Sequence, residues 1–162
     1  FSTVNLTESL CESILLFEKE WDSRNIDLQT DIPDDIFLRG DGELLSLVWT
    51  NLLSNALKFT PDGGTVAVRV KAYPKSITVS VSDSGCGIPP EALLHIFEKF
   101  YQADKSHSSQ GNGLGLALVK RVVDIHGGKI AVSSNPVRYT DDGSPDDTVA
   151  HGTTFSVTLF KG

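Results

Sequence analysis

Residues 66–72 and 77–83 each alternate with period two, and Tyr73-Pro74-Lys75-Ser76 stands between them. Val66, Val68 and Val70 on one stretch and Ile77, Val79 and Val81 on the other take turns with Arg69, Lys71, Thr78 and Ser80. That pattern predicts an antiparallel hairpin with one apolar face. An apolar sheet face needs a cover, and the chain supplies amphipathic helices for it. Leu6, Leu10, Ile14, Phe17 and Trp21 recur at helical spacing over 4–21, with Asn5 or Thr7 able to cap the start. Leu44, Leu45, Val48, Leu52 and Leu53 do so over 42–59, where Asp41 is the natural cap and Thr60-Pro61-Asp62-Gly63-Gly64 forces the stop. A third helix is predicted over 113–126, ended by Gly127-Gly128.

The remaining elements are shorter. Residues 26–32 and 36–38 read as two strands in a hairpin-like relation, 130–133 and 154–159 as the last two strands, and Pro89-Pro90-Glu91 opens a short helix through Ile96-Phe97. The polar stretch 98–112 reads as a mobile loop. The stretch 135–150, rich in Asp, Gly and Pro, is long for a connection and reads as a solvated or partly disordered excursion.

Composition narrows the partners. At 162 residues and 40% hydrophobic content, one domain suffices to bury a core without staples. A net charge of −7 argues against nucleic acid, whose binding needs clustered Lys and Arg. Cys11 and Cys86 match neither a disulfide framework nor a zinc site, so a reducing, cytoplasmic setting is expected. His95, His107, His126 and His151 stand isolated and read as surface or satisfied core histidines. No apolar run approaches the ~20 residues that cross a bilayer. Phe1 is not a natural start, so a fragment of a larger chain is the expectation, with the cytoplasmic end of a membrane-anchored one left open.

Three stretches carry chemistry. In Asn51-Leu52-Leu53-Ser54-Asn55-Ala56-Leu57-Lys58-Phe59, the two carboxamides and the amine share one helix face. In Asp83-Ser84-Gly85-Cys86-Gly87, a carboxylate at a strand end precedes a glycine turn, and in Gly111-Asn112-Gly113-Leu114-Gly115-Leu116 a glycine loop opens a helix. Together they suit a magnesium nucleotide. Magnesium takes one or two protein oxygens plus phosphates, and Asn55 offers an oxygen without adding charge. Asn51 would order water or the terminal phosphate, and Lys58 would give phosphate a point charge. Asp83, acceptor-only when ionised, would select the adenine amine; Gly85 and Gly87 let the backbone approach the base, and Phe59 could stack on it. Gly111, Gly113 and Gly115 would bring amides and a helix N-terminus to phosphate. Each stretch alone has a plainer reading, as a solvated helix face, a turn after a strand, or a glycine loop lacking the Gly-Lys-Ser/Thr ending of a P-loop. Their joint occurrence in this order carries the argument.

These residues resemble the catalytic ATP-binding domain of sensor histidine kinases, within the gyrase, heat-shock chaperone, histidine kinase and MutL superfamily. Asn51 to Phe59 resembles the N box, Asp83-Ser84-Gly85-Cys86-Gly87-Ile88-Pro89 the first glycine box and Ile96-Phe97-Glu98-Lys99-Phe100-Tyr101 the F box. Gly111 to Lys120 resembles the second glycine box, and His151-Gly152-Thr153-Thr154-Phe155 the glycine-threonine element. Over residues 1–162 the resemblance implies a two-layer α/β sandwich of the Bergerat type, a mixed, mostly antiparallel sheet covered on one face by helices, with a lid over about 98–112. It implies ATP and Mg2+, with catalytic Asn51 and Lys58, metal-binding Asn55, and nucleotide contacts at Phe59, Asp83, Gly85, Gly87, Ile88, Phe97, Lys99, Tyr101, Gly111, Gly113, Leu114, Gly115, Leu116 and Thr153.

It further implies phosphoryl transfer to a histidine on a dimerisation domain N-terminal to Phe1, relay to a response regulator, and a monomeric domain. Hydrolysing members of the superfamily place a glutamate base where this chain has Asn51, which cannot accept a proton from water, so slow hydrolysis is expected. Two features depart from the pattern. Lys99 and Gln102 stand where lid arginines are common, leaving Lys99 or Lys105 to replace one, and the 135–150 excursion is unusually long. An anti-sigma-factor serine kinase, or a non-catalytic ATP-dependent partner-binding module, is the alternative.

Overall fold

The computed structural model describes residues 1–99, 101, 115–146 and 150–161. Along the chain the elements are β1 (Ser2–Asn5), α1 (Leu6–Leu16), α2 (Glu18–Ser23), β2 (Asp27–Asp31), β3 (Phe37–Gly40), α3 (Gly42–Phe59), β4 (Thr65–Ala72), β5 (Ser76–Asp83), α4 (Pro90–Leu93), α5 (Gly115–Ile125), β6 (Lys129–Asn135) and β7 (Gly152–Phe160). The expected hairpin is β4–β5, closed by Tyr73 N donating to Ser76 O at 2.8 Å. It forms the middle of a five-stranded sheet of order β2-β4-β5-β7-β6. Only the β2–β4 pair is parallel.

One face of this sheet is apolar and covered. Val66, Val68, Val70, Ile77, Val79, Val81, Phe155, Val157 and Leu159 are all buried, against Leu6 and Leu10 of α1, Leu45, Val48, Trp49, Leu52 and Leu53 of α3, and Val119, Val122 and Val123 of α5. The opposite face is a ladder of small hydroxyls: Thr78 with Thr158 (3.1 Å), Ser80 with Ser156 (3.2 Å) and Ser82 with Thr154 (2.8 Å). Such cross-strand pairs add a few tenths of a kcal/mol to about 1 kcal/mol each and need no cover. The architecture is the mixed, mostly antiparallel sheet with helices on one face that the resemblance implies.

Three expectations are corrected. The single helix over 4–21 is instead β1, α1 and α2. Asn5 caps α1 by accepting from Glu8 N (3.1 Å), and the helix breaks at Phe17, which lets the Trp21 indole donate to Ile14 O at 2.9 Å. The strands expected as a hairpin at 26–32 and 36–38 do not pair with each other: β2 runs parallel to β4, and β3 pairs antiparallel with β1. The cause is Arg24. Its guanidinium donates to Asp62 (2.7 Å), Leu57 O (2.7 Å) and Thr60 O, docking the turn before β2 onto the turn before β4. The helix expected through Phe97 is regular only to Leu93 and continues as turns. In the described part of the excursion residues 138–145 are exposed, as the solvated reading expects, and Tyr139 bridges Pro145.

Candidate functional site

Helix α3 runs as expected from the Asp41 cap, which accepts from Leu44 N at 3.1 Å, to Phe59, where Thr60 turns the chain out. Asn51, Asn55 and Lys58 lie half-buried along it. The Asn51 amide donates to Leu47 O at 2.7 Å. Its oxygen is thereby aimed at the start of α5, where a Cβ on Gly115 would come within 2.8 Å of it. Asn55, one turn on, makes no hydrogen bond among the described residues, so its carboxamide oxygen is available. Lys58 has no carboxylate partner among them; its amine lies 5.3 Å from the centre of the Phe59 ring and so covers one face of it.

Asp83 ends β5 on the core-facing side, paired with Val66 on one neighbour and Thr153 on the other. Its Oδ1 accepts from Gly85 N at 2.9 Å, and the Thr153 amide donates to the same carboxylate. Burial pushes its carboxyl above the usual carboxylate range, against the pull of those two amides and of His151. The turn that follows lies against the end of α3: a Cβ on Gly85 would meet Phe59 O at 2.5 Å. Gly87 has φ +78°, a left-handed conformation that glycine takes without penalty.

Two parts of the candidate site are therefore set by a single helix. Asn51 meets α5, and Phe59 meets the Asp83 turn, eight residues or about 12 Å further along the axis. The first turn of α5 contains no acidic residue, as suits an anion at a helix N-terminus. Of the other expected contacts, Ile88, Leu116 and Tyr101 are partly buried against the core, as is Phe97, whose ring meets Phe155 edge-on at 6.4 Å. Lys99 is exposed, and Thr153 is buried beside Asp83. Gly111, Gly113 and Leu114, with Phe100, Gln102, Lys105 and nearly all of the expected lid, lie outside the described residues.

Two residues at this site were assigned no role from the sequence. His151 donates from Nδ1 to the Gly85 carbonyl at 2.5 Å, and the Ser134 hydroxyl accepts from Ile88 N at 2.6 Å. His151 stands beside Gly152-Thr153, and that adjacency was the one clue. His126 is a satisfied core histidine, as expected: Nδ1 meets Val122 O (2.8 Å) and Nε2 accepts from Asp41 N (3.0 Å).

A half-buried carboxylate with acceptor capacity, a glycine turn with no room for a side chain, a carboxamide oxygen without a hydrogen bond among the described residues and a first turn of α5 without an acidic residue fit an adenine nucleotide. No cluster of three His, Cys, Asp or Glu suited to a metal exists among the described residues, so a cation here would rely on neutral oxygen and phosphate. Residues 40–162 match the family described as Histidine kinase-, DNA gyrase B-, and HSP90-like ATPase. The chain belongs to that family.

Within it, the similar proteins are sensor kinases. The adaptive-response sensory kinase SasA of Synechococcus sp. (strain CC9311) is 39% identical over 136 residues, 82% of this chain and 36% of that protein. The mycobacterial sensor histidine kinase MprB superposes with a TM-score of 0.80 at 31% identity, over 98% of this chain and 97% of that one. The histidine kinase ThkA, in its complex with the response regulator TrrA, gives 0.73 at 27% identity, over 100% of this chain and 42% of that one. This chain is thus a catalytic ATPase domain of the sensor histidine kinase kind, and it spans about a third of the length of the curated relatives it matches. No helix among the described residues is long and apolar enough to cross a membrane.

Proposed function

We propose that this domain binds Mg-ATP and transfers the γ-phosphoryl group to a histidine on a dimerisation domain N-terminal to it in the complete protein, for relay to a response regulator. Asp83 accepts from the adenine amine, while Gly85 and Gly87 let the base approach. Lys58 and the amides before α5 hold phosphate oxygens. Asn55 supplies the protein oxygen for magnesium, which when bound neutralises phosphate charge. The unprotonated nitrogen of the acceptor imidazole forms an N–P bond as the bond from the γ-phosphorus to the β–γ bridging oxygen breaks; ADP keeps that electron pair, and the one N–H proton, on the other ring nitrogen, passes to solvent. The setting is cytoplasmic, the isolated domain is a monomer, and nucleic acid is no partner.

Asn51 carries this reading. Its oxygen lies beside the start of α5, and the resemblance implies that hydrolysing members of the superfamily carry a carboxylate at this position. A carboxamide orders a nucleophile but takes no proton from water, so transfer to an imidazole, which needs no such base, is favoured over hydrolysis. The test is incubation of the chain with γ-labelled ATP and a separately supplied dimerisation domain. Acid-labile label on histidine supports the proposal. Acid-stable label on serine, or binding without transfer, sinks it in favour of a serine kinase or a nucleotide-dependent binding module.

A further inference from the structure

The turn after β5 is held from across the sheet. The Gly85 carbonyl accepts from His151 Nδ1 at 2.5 Å, the Cys86 carbonyl from Val137 N at 2.8 Å, and Ile88 N donates to Ser134 Oγ at 2.6 Å. Ser134 Oγ also donates to Gly152 O (3.1 Å) and lies 2.8 Å from Thr153 Oγ1. These partners flank the 135–150 excursion, so its two ends grip the turn from both sides.

Gly85 is the residue through which this grip reaches Asp83. Its carbonyl is held by His151, and its amide donates to Asp83 Oδ1 at 2.9 Å, so both polar groups of one glycine are committed. Glycine has the widest choice of backbone conformations of any residue, and without these two bonds nothing intrinsic would keep its amide on the carboxylate. Burial of Gly85 makes the bond to its carbonyl matter more, because water does not readily replace a lost donor there.

We propose that His151 is a positioning residue of the adenine pocket: by donating from Nδ1 to the Gly85 carbonyl, it fixes the turn whose amide orients Asp83. The inference rests on the nucleotide reading above and concerns the base end of the site only. It gives the excursion, otherwise without a role, the task of presenting His151 and Val137 to the turn.

The test is binding of ATP, GTP and inorganic tripolyphosphate to the 162-residue chain and to three variants. His151→Ala loses the donor and should weaken ATP roughly 3- to 10-fold, the worth of one hydrogen bond. Preference for ATP over GTP should fall, and tripolyphosphate binding should not change. His151→Asn places an amide donor close to the Nδ1 position and should restore ATP binding to within about twofold; His151→Gln, whose amide reaches further, should not. Unchanged ATP affinity in His151→Ala, equal loss for all three ligands, or failure of Asn to restore binding would each overturn the proposal. If the alanine chain does not fold, the Asn and Gln variants alone decide it. A wild-type chain that binds no adenine nucleotide refutes the function proposed above; a wild-type chain that binds it, with His151→Ala unaffected, refutes only this inference.

Discussion

Asp83→Asn separates binding from folding, and the structure says how far. The carboxylate accepts from the amides of Gly85 and Thr153. An asparagine keeping those bonds must point its oxygen at them, which on the proposed reading leaves its own N–H2 facing the adenine amine. A charge-assisted bond becomes a meeting of two donors. The loss of a bond to a charged group is about 1.5–3 kcal/mol, or roughly 10- to 150-fold in affinity for ATP. GTP, which presents an acceptor at that position, should lose less, so that the ATP to GTP ratio collapses.

Stability should move the other way. Burial lifts the Asp83 carboxyl above its ordinary value of 3.8, so the folded chain holds this proton more tightly than the unfolded chain. The ionised group's cost to the fold is absent below 3.8 and complete above the raised folded value, and stability contributed here falls as pH rises between them. Asp83→Asn abolishes that component and should melt no lower than wild type at pH 7. Nucleotide affinity in the wild type has the opposite slope, being lost as pH falls through the folded value. Titration calorimetry with ATP and GTP, beside scanning calorimetry of the free chain, reads both quantities. A change in ATP affinity of less than about threefold, small against the bond considered, would refute Asp83 as the adenine acceptor. A steep drop in melting temperature would refute the claim that its charge is a burden to the fold.

Asn55→Ala should remove the magnesium-dependent part of ATP affinity, measured by binding with and without a chelator. Stability should stay within about 0.5 kcal/mol, since the residue is half-exposed and makes no hydrogen bond among the described residues. Gly152→Ala forces a side chain into φ +137° and onto the Asp83 carbonyl, and should cost at least about 3 kcal/mol in urea unfolding. The Asp142 carboxyl is held down to about 2, chiefly by the Ser144 hydroxyl and then by Thr140. Ser144→Ala should move it back toward 3.8 in an NMR titration.

What was legible in the sequence divides by the distance over which each role is set. The bounds of α3 were readable because Asp41, the apolar spacing and Thr60-Pro61 agree within one segment, and Asn51, Asn55 and Lys58 came with it. The β4–β5 hairpin and Asp83 were readable for the same reason. Alternation at 26–32 announced a strand but pointed to the wrong partner at 36–38, because that choice is made by Arg24 reaching Leu57 O, Thr60 O and Asp62, 33 to 38 residues away. Strand β1 has four residues and one buried side chain, too few for a pattern. The break at Phe17 has no glycine or proline to mark it and follows from packing of Trp21.

His151 and Ser134 were missed on the same ground. Each acts on the Asp83 turn across 66 and 46 residues respectively; Ser134 is not distinctive where it stands, and His151, though it opens the glycine-threonine element, read as an isolated histidine. Motif reading therefore finds the groups that would touch the nucleotide and passes over those that keep such groups still. Ser134→Ala is the case in point. It would leave Ile88 N without its acceptor and the hydroxyl links to Gly152 and Thr153 broken, at about 1–3 kcal/mol for an amide left unpaired in a half-buried site. Because three of the broken contacts join β6, β7 and the glycine turn, the loss should appear in hydrogen exchange at Ile88 and Thr153 before it appears in global melting. Exchange rates at those two amides that match wild type would mean that the turn is held by its own glycines, by His151 and by Val137 without help from Ser134.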